Sequence, residues 1–337
     1  MQHSILYSVV AFMLLVTELQ SYAGAQGIGA NYGRQGDNLP TPDKVIQLCK
    51  SRNIQRIRIF DPQQDVLQAL QGSGIQVIIG TLNIDVPTLA NDPAFATTWL
   101  QTNIIPFASS VNFRCISVGN EMVPSQNASS ILPAMQNLRT ALIAANLNIP
   151  ISTAVFQNVL ASPFPPSAGI WHPDAASIMV PLVQYMQANG YPLLYNAYPY
   201  FAYHDNPNDI RLDYALMSTS EVIVTDGALG YTNLLDASLD ALYWALEKVG
   251  APNVEIVVAE TGWPSEGEGH DQATIDNART YNSNLIKHGQ FGTPKRPGKG
   301  LEAYIFALFN EDLKPKGSES HWGLFYPDMS EVYHVDF

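Results

Sequence analysis

Cysteine is scarce in this sequence of 337 residues, with two in all. A disulfide framework of the kind that staples small secreted domains is therefore excluded, and stability has to come from core size. Cys49 lies in a helical pattern and Cys115 at the start of an apolar strand, a placement that one bridge or two buried free thiols would fit. Basic residues are also few: 17 Lys and Arg stand against 30 Asp and Glu, a formal net charge of −13. An acidic chain without a basic run repels phosphate backbones, which excludes nucleic acid as its main partner. Past the N-terminus no apolar stretch reaches the ~20 residues of a membrane span. The seven His are dispersed without ligand spacing, and no G-x-S-x-G elbow, Walker loop or G-x-G-x-x-G occurs. No metal or organic cofactor is implied.

What is present points to a large globular unit. Hydrophobic residues make up 46% of the chain and charged residues 14%, while 23 Gly and 23 Pro are too few for a fibrous or disordered polymer. The segment from Ile5 to Val16 is apolar but too short to span a bilayer, and the small residues Ala23-Gly24-Ala25 follow it. A signal peptide over residues 1–25, cleaved before Gln26, is expected. The C-terminal Val332-Tyr333-His334-Val335-Asp336-Phe337 is neither a retention signal nor a glycolipid-anchor tail. Residues 26–337 are expected to form one secreted, monomeric domain without a membrane anchor. Asn127-Ala128-Ser129 is a glycosylation acceptor in such a chain.

From Gln26 onward, short apolar runs alternate with helical patterns, and no linker or internal repeat interrupts them. Strands are expected at Gly27–Tyr32, Arg56–Phe60, Gln76–Leu82, Cys115–Glu121, Ile151–Phe156, Leu193–Tyr198, Glu255–Glu260 and Ala303–Asn310. Thr41-Pro42 and Asp61-Pro62 each read as a capping side chain ahead of Pro at the first helical position. Further helices are expected at Ser130–Asn146, Asp174–Ala188, Leu234–Lys248 and Thr274–Lys287. Nearly uninterrupted Val/Ile/Leu strands alternating with helices imply a parallel sheet covered on both faces, closed into a (β/α)8 TIM barrel. Residues from His204 to Tyr231 fit no single element. They read as a small insertion between strand 6 and helix 6, with a hairpin turning at Asp226-Gly227, expected to raise one wall of a cleft.

Barrel enzymes carry their chemistry at the C-terminal ends of strands. The fourth strand ends in Asn120-Glu121 and the seventh in Glu260-Thr261-Gly262-Trp263. A single Glu there would read as a solvated strand end. Two facing carboxylates with an aromatic beside them are what glycoside hydrolysis needs, because one must give a proton while the other attacks or activates water. Aromatics crowd the end of the sixth strand: Tyr191 and Tyr195 read as packing, whereas Tyr198, Phe201 and Tyr203, with Tyr32 and Trp263, are candidates to lie against sugar rings.

The stretch Val257-Val258-Ala259-Glu260-Thr261-Gly262-Trp263-Pro264-Ser265 resembles the active-site signature of plant endo-1,3-β-glucanases, glycoside hydrolase family seventeen. The resemblance runs along the mature chain through Gly27-Ile28-Gly29-Ala30-Asn31-Tyr32-Gly33, Val118-Gly119-Asn120-Glu121, Tyr198-Pro199-Tyr200-Phe201-Ala202-Tyr203, Phe309-Asn310-Glu311-Asp312-Leu313-Lys314 and Gly323-Leu324-Phe325. It departs at Ala30-Asn31, where the family usually has a Cys. The resemblance implies retaining hydrolysis, with Glu121 as acid/base and Glu260 as nucleophile, and with Asn120 bonded to the sugar hydroxyl beside the anomeric carbon. It places Glu311, Lys314 and Glu319 around the site as support; a surface ion-pair network is the alternative for those three. The implied partner is β-glucan, such as callose, fungal-wall glucan or laminarin, met in the apoplast or cell wall. A 1,3-1,4-β-glucanase and a non-catalytic glucan-binding wall protein remain as alternatives.

Overall fold

The computed structural model describes residues 27–267 and 272–337; the expected signal peptide lies outside them. Its strands are β1 (Ile28–Asn31), β2 (Arg56–Ile59), β3 (Gln76–Gly80), β4 (Asn112–Asn120), β5 (Ile151–Phe156), β6 (Leu193–Asn196), β7 (Val224–Asp226), β8 (Leu229–Tyr231), β9 (Ile256–Thr261) and β10 (Ala303–Ile305). Eight of them close a parallel barrel in sequence order, with β6 joined directly to β9 and β10 returning to β1. The remaining two, β7 and β8, form a separate antiparallel hairpin. This is the (β/α)8 architecture expected from the alternation.

Around the barrel lie α1 (Pro42–Ser51), α2 (Gln64–Leu70), α3 (Val86–Asn91), α4 (Pro93–Asn103), α5 (Ile131–Ala144), α6 (Pro173–Asn189), α7 (Pro199–Asp205), α8 (Leu212–Ala215), α9 (Leu234–Lys248) and α10 (Ile275–His288). Helix α9 shows why they form: Leu235, Leu239, Leu242 and Leu246 recur on one face and are buried, and Asn233 caps the first turn by accepting from the Asp236 N–H at 2.8 Å. Each such leucine contributes about 1.5–3 kcal/mol on burial. Inside the ring a second apolar cluster, Ile78, Cys115, Ala154, Leu194, Val257, Ala259 and Tyr304, draws on six strands. At the N-terminal end of the strands Glu302 takes Arg56 at 3.1 Å and Arg114 at 2.8 Å. The C-terminal end is polar as well, and there the barrel opens.

Several boundaries differ from the sequence expectation for identifiable reasons. Helix α2 starts at Gln64, because Asp61 accepts from the Gln63 amide instead of capping a helix at Pro62. Thr41 does precede Pro at N1 but makes no side-chain cap. Helices α3 and α4 were not expected at all, although Asp92 caps Ala94 at 2.9 Å and Ala96, Trp99 and Leu100 follow at helical spacing. Strand β10 stops at Ile305 because the pairing beyond it turns irregular: Phe306 and Leu308 N–H still bond the Thr261 and Asn31 carbonyls, while Ala307 N–H bonds the Trp322 carbonyl and Phe309 pairs with Phe325. The hairpin turns at Gly227, at φ 60, as expected. The 204–231 insertion does not wall the cleft: its Tyr214 and Tyr231 pack with Ala237 of α9, and Asp226 binds Ser167.

Cys49 sits in α1 and Cys115 inside the barrel, both buried and unlinked. Burial raises each thiol to about 12. Reducing agent is therefore expected to leave the calorimetric melting temperature unchanged; a drop of several degrees would reveal a crosslink.

Candidate active site

The polar end of the barrel is organised around Arg58, which is 1% exposed and reaches up from β2. Its Nη1 donates to Glu260 Oε1 at 2.6 Å, and its Nη2 donates to Asn120 Oδ1 at 2.7 Å. Phe60 lies against the guanidinium, 4.6 Å from its carbon to the ring centroid. Asn196, fully buried at the end of β6, points one amide nitrogen at both carboxylates: 2.7 Å to Glu121 Oε1 and 3.0 Å to Glu260 Oε1. Tyr198 Oη donates to Glu260 Oε2 at 2.7 Å. Burial, followed by the charge of Glu260, holds that phenol well above its ordinary pKa, so it remains a donor.

The two carboxylates consequently differ. Among the described residues the Glu260 side chain accepts from Arg58, Asn196 and Tyr198, and the first of these donors is charged. Glu121 opens onto the cleft just past β4. Desolvation by the cleft walls and then the charge of Glu260 push its pKa up; Asn196 and Arg58 oppose this, and Glu319 adds to it. Burial and the neighbouring charge thus favour the protonated form of Glu121.

A family model described as glycosyl hydrolases family 17 matches residues 28–337. The chain belongs to that family. A glucan endo-1,3-beta-glucosidase of Vitis vinifera is 49% identical over 321 residues, 93% of this chain and 92% of the relative. CJP38, a beta-1,3-glucanase and allergen of Cryptomeria japonica pollen, superposes with a TM-score of 0.89 at 46% identity, covering 92% of this chain and 99% of that one. One of two plant beta-glucan endohydrolases with distinct substrate specificities gives the same TM-score at 44% identity, covering 92% and 100%.

In this family 17 chain the cleft above the carboxylates has a volume of about 650 Å³ and is lined by Tyr32, Asn120, Glu121, Tyr198, Phe201, Glu260, Glu311, Lys314 and Glu319, all named from the sequence. Two other candidates are placed elsewhere. Trp263 is fully buried, donates its indole N–H to the Gln272 carbonyl at 2.9 Å and is not among the lining residues. Tyr203 packs over Trp263 at 6.0 Å and is not among the lining residues. Tyr198 is buried and holds a carboxylate instead of presenting its face to a sugar ring.

Glu311 is 3% exposed, accepts from the Gln35 N–H at 2.6 Å and pairs with Lys314 at 3.2 Å. It packs so closely on the loop after β1 that a Cβ at Gly33 would lie 2.5 Å from Glu311 Oε1. Lys314 also stands 4.1 Å from the Phe306 ring centroid. The cation beside Glu260 is Arg58, not Lys314. Asn127 is exposed, and its side chain caps nothing.

Arg58, Asn196, Phe156, Phe306 and Trp322 belong to the site and were not singled out in the sequence. For Arg58 a signal existed, since a cation in the middle of the strand Arg56-Ile57-Arg58-Ile59 must face something other than the helices. Removing one partner of a buried ion pair leaves the other uncompensated. Arg58→Met is expected to lower unfolding free energy in denaturant titration by about 3–5 kcal/mol. Adding Glu260→Gln should recover part of the loss, since the stranded charge is then gone; equal stability of single variant and wild type would refute the pairing.

Proposed function

We propose that this chain is a retaining endo-hydrolase of 1,3-β-D-glucosidic bonds, with Glu260 as nucleophile and Glu121 as acid/base. The observation that carries the reading is the shared Asn196 nitrogen. Two carboxylates that accept from one nitrogen have their bonded oxygens within about 6 Å of each other, in keeping with the ~5–5.5 Å of retaining sites and short of the ~6.5–9.5 Å that leaves room for an inverting water. In the first step Glu260 attacks the anomeric carbon and the glycosidic bond breaks, its electron pair leaving on the oxygen that takes the Glu121 proton. Water then gives its proton to Glu121 and attacks the same carbon, releasing the Glu260 carboxylate.

Support for the linkage comes from the Vitis vinifera and Cryptomeria japonica proteins, whose names both specify 1,3-β-glucan. The cleft supplies a wall suited to pyranose rings: Phe201 and Phe306 stand 5.7 and 6.0 Å from Trp322, and all three line the cavity. Asn120 engages Arg58 through Oδ1, which turns its amide N–H groups toward a sugar hydroxyl. The substrates proposed are wall glucans, callose or fungal, met after export. No described helix is long and apolar enough to cross a membrane. Asn127, exposed on the loop after β4, is proposed as a glycan acceptor.

Glu121→Gln and Glu260→Gln are each expected to lower turnover by several orders of magnitude with the fold intact; near-normal hydrolysis by either purified variant would sink the assignment. In Glu260→Gly, azide should restore bond cleavage and yield a glycosyl azide of inverted anomeric configuration.

Laminarin should be cut to a ladder of short oligomers, with barley mixed-linkage glucan attacked slowly. Chromatography showing early glucose alone would indicate an exo enzyme, and faster attack on the barley polymer a 1,3-1,4-β-glucanase.

A further inference from the structure

The two carboxylates are held in different ways. Glu260 has three side-chain hydrogen bonds, from Arg58, Asn196 and Tyr198. For the Glu121 carboxylate the one such bond among the described residues comes from Asn196. The position of Glu121 must therefore come largely from its backbone, and that backbone is unusual. Glu121 has φ 54, a left-handed conformation that a residue with a Cβ adopts only when its surroundings enforce it. Two residues earlier Gly119 has φ 70, and a Cβ there would lie 2.4 Å from the Met122 sulfur. The chain makes a tight turn at the proton donor.

Two contacts from neighbouring elements enforce that turn. The Glu121 N–H bonds the Ala154 carbonyl of β5 at 2.8 Å. On the other side Asn83, in the loop after β3, grips the preceding residue at both ends: the Asn120 N–H donates to Asn83 Oδ1 at 2.7 Å, and Asn83 Nδ2 donates to the Asn120 carbonyl at 2.9 Å. An amide side chain is the group that can do both at once, because it carries a donor and an acceptor side by side. Asn83 is exposed, so the fold does not need it to fill space.

From this we infer that Asn83 is a positioning residue for the reaction, acting through the Asn120 backbone to aim the Glu121 carboxyl at the departing oxygen. The inference rests on the reading of Glu121 as acid/base. It has a consequence that general support of the fold lacks: loss of Asn83 should harm substrates that need a proton on the leaving group and spare one that does not. A glucan leaves as an alkoxide unless protonated, whereas dinitrophenolate leaves unaided.

The test compares kcat/KM for laminarin and for dinitrophenyl β-laminaribioside, a ratio that reports acid assistance to the first step. In Asn83→Ala the laminarin value should fall about 100-fold, the scale of a misplacement of about 1 Å, with the dinitrophenyl value nearly unchanged. Asn83→Asp keeps the acceptor and loses the donor, and should lower the ratio about tenfold, which preserves the test if the alanine variant folds poorly. An unchanged ratio in either folded variant, whether both rates fall together or neither falls, overturns the inference. Glu121→Gln is the control: it should abolish laminarin cleavage while the dinitrophenyl kcat/KM survives. If that control fails, the assignment of Glu121 itself is wrong, whatever Asn83 does.

Discussion

Arg58 carries a full positive charge inside a parallel barrel, at a depth where an unpaired guanidinium would cost several kcal/mol in lost solvation. The pairing with Glu260 at 2.6 Å offsets that cost, and the bond to Asn120 at 2.7 Å satisfies the other arm of the fork. Much of the site follows from this arrangement. Glu260 is buried with the cation as its partner, and Asn120 is oriented because its oxygen is already engaged. Asn196 bridges to Glu121 from the same cluster. An apolar residue in place of Arg58 would leave Glu260 buried without its cation.

The barrel separates stability from chemistry by layer. Leucine faces such as that of α9 and the seven-residue cluster within the ring supply the apolar burial, while the two candidate carboxylates stand on the C-terminal rim, where strands end and loops begin. The rim is also where the backbone departs from regular geometry, as at Glu121 with its positive φ. Strain placed there is borne by a rigid ring beneath it, held at its far end by Glu302 with Arg56 and Arg114. Glu311 extends the same device outward. Buried and bound to the Gln35 N–H, it fixes the loop after β1 against the segment that carries Lys314 and Trp322.

The alternation of apolar strands with helices was legible in the sequence because burial on both faces leaves a continuous Val/Ile/Leu run, and helix α9 was bounded to the residue by its leucine spacing. Glu121 and Glu260 stood out as a pair because two carboxylates end matching strands beside an aromatic, although either alone would read as a solvated strand end. Several wrong or missing readings concern side chains whose partners the spacing of residues does not reveal. Trp263 looked like a cleft aromatic, yet it is buried and its indole finds the Gln272 carbonyl. Tyr198 looked like a sugar platform, yet its hydroxyl finds Glu260. The 204–231 insertion looked like a cleft wall, yet its apolar side is spent on α9.

What the sequence by itself determined was the eight barrel strands, their order round the ring and the two strand ends that carry carboxylates, since each depends on periodicity within about ten residues. What only the tertiary structure decided was how those carboxylates are held and paired. Arg58, 202 residues away from Glu260, and Asn196, 75 residues from Glu121, converge on them through space, and partial burial with the charge of Glu260 pushes the Glu121 pKa up. Electrostatics acts through space and burial, and neither distance nor depth is written in the spacing of residues along a chain.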